Sequence, residues 1–137
     1  MLRHITIEDI GIEWDRVRAG LVEVKRMTTD DWLPEDVYMC LKTGNASLYV
    51  GEDKDGDYLG FIVLRLVSTF HAKKVEIWAA HSATKQPLMR TFWPQIQAVA
   101  KDAGASLISF SSARDEWQAG AKRLGFKPTQ MTYDFTL

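Results

Sequence analysis

The sequence predicts one α/β domain of the α+β kind, residues 1–137, in which a mixed, mostly antiparallel twisted sheet carries helices on both faces. Three consecutive strand-like segments, the first two joined by the tight-turn sequence KDGD, predict an antiparallel meander. A helix and a further strand then follow, and this order predicts a crossover connection with a parallel strand pair. The length is that of a single domain, and the sequence holds no repeat, linker or low-complexity stretch.

The N-terminal part predicts a strand and two helices. Residues 2–7 alternate apolar with polar side chains, which is typical of a strand. The next segment is predicted to be a helix to about Met27, because apolar residues recur on one helical face: Ile10, Trp14, Val17, Leu21 and Val24. A second helix is expected at about 34–43, since Pro34 favours a helix start and Gly44 lies just past its end.

The meander is predicted by the segments ASLYVGED, DYLGFIVLRLVSTF and KKVEIWAAH, the last at about 73–81. Asp55 and Gly56 can supply the positive φ angles of a tight hairpin turn between the first two segments. Beyond the meander, PQIQAVAKDAGA predicts a helix closed by Gly104, and SLISFSS predicts a short strand. The chain is then expected to end with the helix DEWQAGAKRLGF and the strand MTYDFTL.

The composition excludes several classes of function. With 17 Lys plus Arg against 18 Asp plus Glu, the net charge of -1 argues against a nucleic-acid partner. No apolar run approaches the ~20 residues of a membrane-spanning helix, and the N-terminus has no signal-peptide pattern. Cys40 is the single cysteine, and His4, His71 and His81 lack metal-ligand spacing, so neither a disulfide nor a metal site is expected. The expected location is the cytoplasm.

The order of elements resembles that of the GNAT acyltransferase superfamily, and two short motifs strengthen the resemblance. GFIVLRL at 60–66 is similar to the third strand of that family, and KRLGF at 122–126 is similar to the end of its last helix. The resemblance covers nearly the whole chain. It implies that the fourth and fifth strands splay apart, that acetyl-CoA lies between them, and that an acetyl group passes to a primary amine of a small molecule or protein.

The cofactor loop departs from the family pattern. In the family, backbone amides of an Arg/Gln-x-x-Gly-x-Gly/Ala loop hold the pyrophosphate at a helix N-terminus, where the helix dipole favours an anion. Here the loop would begin at Thr84 and contains no glycine, and Pro87 lacks an amide hydrogen. Side-chain cations of Lys85 and Arg90 are the alternative phosphate ligands. The resemblance places these cofactor contacts on the chain: Ala79, whose amide would hold the thioester carbonyl, with His81, Lys85, Gln86, Leu88, Met89 and Arg90.

Pro94 leaves two possibilities for the helix after this loop. Either the helix begins near Pro87 and contains Pro94, at a cost of about 3 kcal/mol, or it begins late with Pro94 in its first turn. In both cases the helix N-terminus is not expected to meet a pyrophosphate in the usual geometry.

Three residues are candidates for catalysis. Glu76 is either a general base that deprotonates the amine through water or a solvated residue on the polar face of its strand. Ser112, like its neighbour Ser111, is either a proton donor to the thiolate or a helix cap. Tyr133, on the expected final strand, either reaches the cleft or packs on the sheet.

Three substitutions relative to the family weigh against efficient acetyl transfer. Ala121 stands where many members have a Tyr that protonates the thiolate, and Arg114 stands where an Asn often opens the last helix. Trp117 replaces a usually small residue and would fill space that CoA occupies.

Two functions are therefore compared. The first is an impaired acetyl-CoA-dependent N-acetyltransferase, and the second is a non-catalytic binding or structural protein of bacteriophage origin on the same fold. The segment SFSSARDEWQAGAKRLGF loosely resembles small bacteriophage GNAT-like proteins, which implies phage or host proteins as partners and a virion-associated location. A homodimer is an option in either case, because terminal strands can expose a sheet edge.

Overall fold

A computed structural model describes residues 1–112 and 117–137. Within these ranges the chain forms five strands and four helices, together with a 3-10 turn at Ile7–Asp9. The elements follow in the order β1 (Leu2–Ile5), α1 (Ile10–Arg26), α2 (Pro34–Lys42), β2 (Ser47–Glu52), β3 (Tyr58–Ser68), β4 (Lys73–Ser82), α3 (Leu88–Asp102), β5 (Leu107–Ser109) and α4 (Trp117–Leu124).

The five strands form one sheet in the order β1-β2-β3-β4-β5. The first four strands are antiparallel neighbours, and the hairpin between β2 and β3 turns at Gly56, where φ is +85°. Strand β5 is parallel to β4, because α3 carries the chain back across the sheet. The predicted mixed, mostly antiparallel sheet is confirmed.

Strand β4 contains a bulge that matters for the site. Val63 of β3 pairs with Ala79, whereas the next residue, Leu64, pairs with Ile77, so Trp78 is an extra residue in β4. A bulge breaks the strict alternation of side chains between the two faces of a sheet. Trp78 and Ala79 consequently both pack with the core on the α1–α2 side, although they are neighbours in sequence.

Two hydrophobic cores lie on opposite faces of the sheet. Helices α1 and α2 cover one face and bury one apolar set: Ile10, Val17, Leu21, Val37 and Leu41. Helix α3 covers the other face with a second set, against which residues of α4 pack: Leu88, Met89, Phe92, Ile96 and Ala100. Helix α3 comes so close to β2 that a Cβ on Gly51 would lie 2.6 Å from Phe92 Cε2.

Two open points of the predicted secondary structure are resolved. Helix α3 begins at Leu88, directly after Pro87, and contains Pro94, so the late start is wrong. The first strand ends at Ile5 and gives way to the 3-10 turn, so it is shorter than the expected 2–7.

The expected final strand is wrong. Residues 127–137 form neither helix nor strand, and the apolar side chains of the segment are exposed: Met131, Tyr133, Phe135 and Leu137. Apolar and polar side chains do alternate in this segment, as they do in a strand. A strand also needs the free edge of a neighbouring strand to pair with, and the local sequence does not supply that edge. The available outer edge of the sheet next to β4 is β5, which is only three residues long.

Candidate functional site: a cleft through the sheet

The main cavity lies where β4 and β5 separate. The two strands pair at three positions only, and the last pair is Glu76 with Ser109. Beyond it, β4 continues to Ser82 while the chain after β5 turns away through Phe110 and Ser112, and a cleft of about 770 Å³ occupies the space between them. The splayed fourth and fifth strands that the family resemblance implied are therefore present.

The cleft is lined from both faces of the sheet. From the α1–α2 side come Val24 and Met27 near the end of α1, with Asp30 and Trp32 from the following loop. From the opposite side come residues of α3 and α4: Leu88, Met89, Arg90, Trp117, Ala121, Arg123 and Leu124. Because these two groups belong to opposite faces, the cleft passes through the sheet between β4 and the chain after β5.

The α1–α2 end is aromatic and carries a carboxylate. The rings of Trp32 and Trp78 meet edge to face with centroids 6.2 Å apart. The carboxylate of Asp30 accepts a hydrogen bond from Trp32 Nε1 at 3.4 Å, and the backbone carbonyl of Asp30 accepts one from Lys25 Nζ. The ammonium group of Lys25 lies 5.8 Å from the centre of the Trp32 ring. The loop after α1 is thus held in place by its own side chains.

The α3–α4 end is apolar with two cations. Phe110 contacts both Trp117 and Phe126, with ring centroids 6.0 Å and 5.0 Å apart. Arg90 and Arg123, on two different helices, both line this cavity. Trp117 lines the cleft. The sequence comparison with the family predicted that its large side chain would fill part of the space that CoA occupies.

Two amides between β4 and the start of α3 are occupied by nearby hydroxyl groups. The N–H of Leu88, the first residue of α3, donates to Ser82 Oγ at 3.0 Å, and the N–H of Gln86 donates to Thr84 Oγ1 at 3.2 Å. Pro87 has no amide hydrogen. An anion at a helix N-terminus is held by free amides that point at it. At the three consecutive positions 86–88, the backbone therefore offers no unoccupied N–H group.

His81 lies at the mouth of the cleft, near the end of β4. Its ring is half buried between Phe61 and Gly20: the Phe61 ring centroid is 5.9 Å away, and a Cβ on Gly20 would lie 2.8 Å from His81 Cδ2. Burial lowers the pKa of His81 below its ordinary value, with Glu23 acting in the opposite direction. The imidazole is therefore neutral at pH 7 and able to accept a proton.

Glu76 lies beside the cleft but does not line it. Its carboxylate forms an ion pair with Arg65 on the neighbouring strand, and the guanidinium of Arg65 stacks 4.0 Å from the centre of the Trp78 ring. One carboxylate oxygen of Glu76 is thus paired with a cation, which would make the carboxylate a weaker base.

The other predicted residues divide into two groups. Ala79, Leu88, Met89, Arg90, Ser111 and Ser112 line the cleft as expected, and so does Ala121. Lys85 and Gln86 are exposed and do not line it. Tyr133 is 84% exposed and its hydroxyl lies 3.8 Å from Met131 Sδ, so the expectation that it reaches the cleft from a final strand is wrong. Arg114 lies outside the described residues.

Sequence reasoning missed three residues of the site. Asp30 and Trp32 lie in a loop without a motif, and Arg123 lies inside KRLGF, which was noted for its Gly-Phe ending alone. The one signal for Arg123 is its position within KRLGF, the motif at the end of the last predicted helix.

Two classes of structure are not found within residues 1–112 and 117–137. No helix there is long and apolar enough to cross a membrane. No group of three or more His, Cys, Asp or Glu side chains in these ranges is arranged to hold a metal ion.

Solved structures with the same architecture include several acetyltransferases. The aminoglycoside acetyltransferase HMB0005 from an uncultured soil metagenomic sample is 11% identical, with a TM-score of 0.72 over 100% of this chain and 97% of that chain. The aminoglycoside N-acetyltransferase AAC(6')-Iy in complex with CoA is 12% identical, with a TM-score of 0.68 over 100% and 98%. A mutant of the BH1408 protein from Bacillus halodurans is 17% identical, with a TM-score of 0.68 over 100% and 99%.

These likenesses establish the fold. The chain has the architecture of the GNAT acetyltransferases, as its motifs implied. No protein-family model and no curated protein matches the sequence.

Proposed function

We propose that the cleft binds an acyl thioester of coenzyme A, acetyl-CoA in the simplest case, and transfers the acyl group to a primary amine. The observation that supports this most directly is that the cleft passes through the sheet at the separation of β4 and β5. A thioester entering from the α3–α4 side and an amine entering from the α1–α2 side would meet at β4. A structural neighbour that is an acetyltransferase was solved with CoA.

The phosphates would be held by side chains instead of the loop backbone. Arg90 and Arg123 lie on two helices that line the same cavity, and guanidinium groups bind phosphate through paired hydrogen bonds. Lys85 is exposed in the loop, five residues before Arg90, and could contribute a third cation to phosphate binding. Because such contacts lack the helix-terminus geometry, binding is expected to be weaker and more sensitive to salt than in a glycine loop.

The chemistry would be direct attack of the amine on the thioester carbonyl. His81 is the better-placed base, because it lines the cleft, has a neutral imidazole and sits at the end of β4, whereas Glu76 is paired with Arg65. The amine nitrogen forms the C–N bond and gives its proton to His81, and the C–S bond breaks. The thiolate of CoA would then take a proton from water or from the hydroxyl of Ser111 or Ser112, and the proton held by His81 would replace the one that this donor loses. The Ala79 amide is the candidate donor to the carbonyl oxygen.

Ligand-dependent stability tests the binding half of the proposal. At 100 times its dissociation constant, acetyl-CoA should add about 2.7 kcal/mol to the free energy of unfolding. Arg123→Gln should weaken this effect, and Lys101→Gln, a change of the same kind on an exposed residue of α3 that does not line the cleft, should not. The absence of any shift at millimolar acetyl-CoA rejects the proposal.

Release of free CoA thiol in the presence of an amine tests the transfer half. His81→Gln should reduce the rate by about 10²-fold or more, which is the usual contribution of a general base. Glu76→Gln should reduce it much less. The reverse order would identify Glu76 as the base.

The second candidate is a non-catalytic binding or structural domain of phage origin, with a phage or host protein as partner. It is favoured by the loop, whose amides at Gln86 and Leu88 are occupied by Thr84 and Ser82, and by Ala121 at the thiolate end of the cleft. Under this alternative neither acetyl-CoA nor CoA stabilises the chain. The same melting experiment therefore separates the two functions.

A further inference from the structure

The α1–α2 end of the cleft differs from its α3–α4 end in charge and in side-chain type. Apart from Asp30, the residues that line the α1–α2 end are apolar or aromatic, with one hydroxyl: Val24, Met27, Thr28, Trp32 and Trp78. Among the described residues that line the whole cavity, Asp30 is the one carboxylate. A ligand seated here therefore meets a mostly apolar wall and one negative charge.

The aromatic wall is rigid. Trp32 is 9% exposed and meets Trp78 edge to face, and its indole N–H donates to the Asp30 carboxylate. This hydrogen bond fixes the carboxylate beside the ring edge and leaves the remaining lone pairs of the carboxylate available for a ligand. A fixed acceptor next to a preformed apolar surface suits a ligand that has a flat apolar body and one cationic group.

Two cationic side chains contact the rings of this aromatic wall. Lys25 lies over the Trp32 ring at 5.8 Å, and Arg65 lies over the Trp78 ring at 4.0 Å. Both positive charges are already provided with partners, Lys25 by the Asp30 carbonyl and Arg65 by Glu76. The backbone carbonyl does not neutralise Lys25, so each further positive charge on a ligand adds repulsion that the single carboxylate of Asp30 does not offset. A ligand with one ammonium group places its only charge at Asp30.

We propose that the acceptor of this protein is a monoamine with an aromatic or apolar body, whose ammonium group is recognised by Asp30 and whose body packs on Trp32 and Trp78. This proposal rests on the proposed function for the chemistry that follows binding, but the recognition itself needs no cofactor. Asp30 and Trp32 are specificity-determining residues in this assignment. Neither forms or breaks a bond.

Direct binding of three small probes to the full chain, without any CoA compound, tests the proposal. The probes are 2-phenylethylamine, 2-phenylethanol, which has the same body without the charge, and spermidine, which carries several positive charges and no aromatic body. Titration calorimetry or amide chemical shifts should show 2-phenylethylamine binding about tenfold more tightly than either of the others, as expected for a charge-assisted hydrogen bond added to apolar burial. Equal or tighter binding of spermidine overturns the assignment.

Matched variants locate the charge. Asp30→Asn keeps the shape of the side chain and an acceptor for the Trp32 indole, and should weaken 2-phenylethylamine about tenfold while leaving 2-phenylethanol unchanged. Asp31→Asn removes the adjacent charge, which does not line the cleft, and should change neither ligand. If the two variants behave alike, Asp30 does not recognise the ammonium group. Trp32→Phe should weaken both ligands, because it reduces the apolar wall, and should weaken 2-phenylethylamine more, because it also removes the indole N–H that positions the Asp30 carboxylate.

The outcomes for the acceptor and for acyl transfer can be told apart. If the probes bind in the expected order but acetyl-CoA does not stabilise the chain, the proposed recognition of a monoamine is supported and the proposed acyl transfer is rejected. Acyl transfer to spermidine in preference to 2-phenylethylamine keeps the transferase and rejects the monoamine.

Discussion

Ser82 and Leu88 are joined by a hydrogen bond across the loop that connects β4 to α3. The Oγ of Ser82, the last residue of β4, accepts the N–H of Leu88, the first residue of α3, at 3.0 Å. This amide is one of the helix-terminal donors that would otherwise be open to an anion. The helix start is thus stabilised by the chain itself, at the position where a cofactor phosphate would have been expected to do so.

Removal of this cap should cost stability. Ser82→Ala leaves the Leu88 amide without its acceptor and should lower the free energy of unfolding by about 1 kcal/mol, as for other helix caps. Urea denaturation monitored by circular dichroism measures the change. Thr84→Ala is the control, because Thr84 makes the same kind of bond to Gln86 in an exposed loop, and a change within about 0.5 kcal/mol is expected. Equal effects of both variants would contradict a special role for Ser82.

Replacement of two glycines of α1 by alanine should change the stability of the chain in opposite directions. A Cβ on Gly20 would lie 2.5 Å from Phe61 Cε1 and 2.8 Å from His81 Cδ2, so Gly20→Ala should destabilise the chain by about 1–3 kcal/mol. Gly11 has no atom within 4 Å of the same position, and Gly11→Ala should stabilise the helix by about 0.5–1 kcal/mol. Thermal or urea unfolding measures both variants. A stable Gly20→Ala protein would show that helix α1 does not pack this closely on β4.

The stability of the chain should fall in mild acid because of His81. Burial lowers the pKa of His81 in the folded state, with Glu23 opposing the shift, so the unfolded chain binds a proton at a higher pH than the folded chain does. The resulting stability is present above the ordinary histidine pKa of about 6.5 and is lost as the pH falls through the lower folded-state pKa. Urea unfolding at several pH values between 8 and 5 should give a shallower decline for His81→Gln than for the natural chain. Parallel curves would show that His81 is not desolvated.

The hydroxyl of Tyr58 is dispensable for folding. Its Oη is buried without a hydrogen-bond partner among the described residues, and the Arg16 guanidinium lies 4.1 Å from the centre of the ring. Tyr58→Phe keeps this stacking and removes an unpaired polar atom, so stability should stay equal or rise by up to about 1 kcal/mol. A loss of more than 1 kcal/mol would reveal a partner for the hydroxyl.

The same variant should also alter the alkaline limb of stability. Burial raises the pKa of Tyr58 to about 12, with Glu13 acting in the same direction and Arg16 against it. The unfolded chain therefore releases the phenolic proton first, and stability falls as the pH rises from about 10 to about 12. Tyr58→Phe should lack this part of the decline, which denaturation at pH 9 and pH 11 can measure.

Local patterns predicted most of the fold, but they did not predict contacts between distant elements. The hairpin turn at Gly56 and the apolar face of α1 follow from neighbouring residues, and both are present. The bulge at Trp78 was not predicted, because it depends on how β4 is registered against β3. The segment 131–137 has a strand pattern without a strand, because pairing requires a free edge of sufficient length.

For the site, too, features that depend on neighbouring residues were predicted and features that depend on distant residues were not. The sequence indicated a loop without glycine, and no distant contact can restore the missing close approach of its backbone. The sequence also predicted Glu76 as a candidate base. The partner of its carboxylate is Arg65, a residue 11 positions away on the neighbouring strand. A side chain's neighbour across a sheet is set by strand register, which the residues around Glu76 do not encode.

By itself the sequence determined the order of elements as far as α4, the crossover that makes β5 parallel to β4, and the lack of glycine at the start of α3. These follow from short-range preferences of the backbone, which act within a few residues along the chain. Only the tertiary structure decided that Asp30 and Trp32 share one cavity with His81 and Arg123. Their meeting depends on helices packed against opposite faces of the same sheet, and on two strands that stop pairing after three residues.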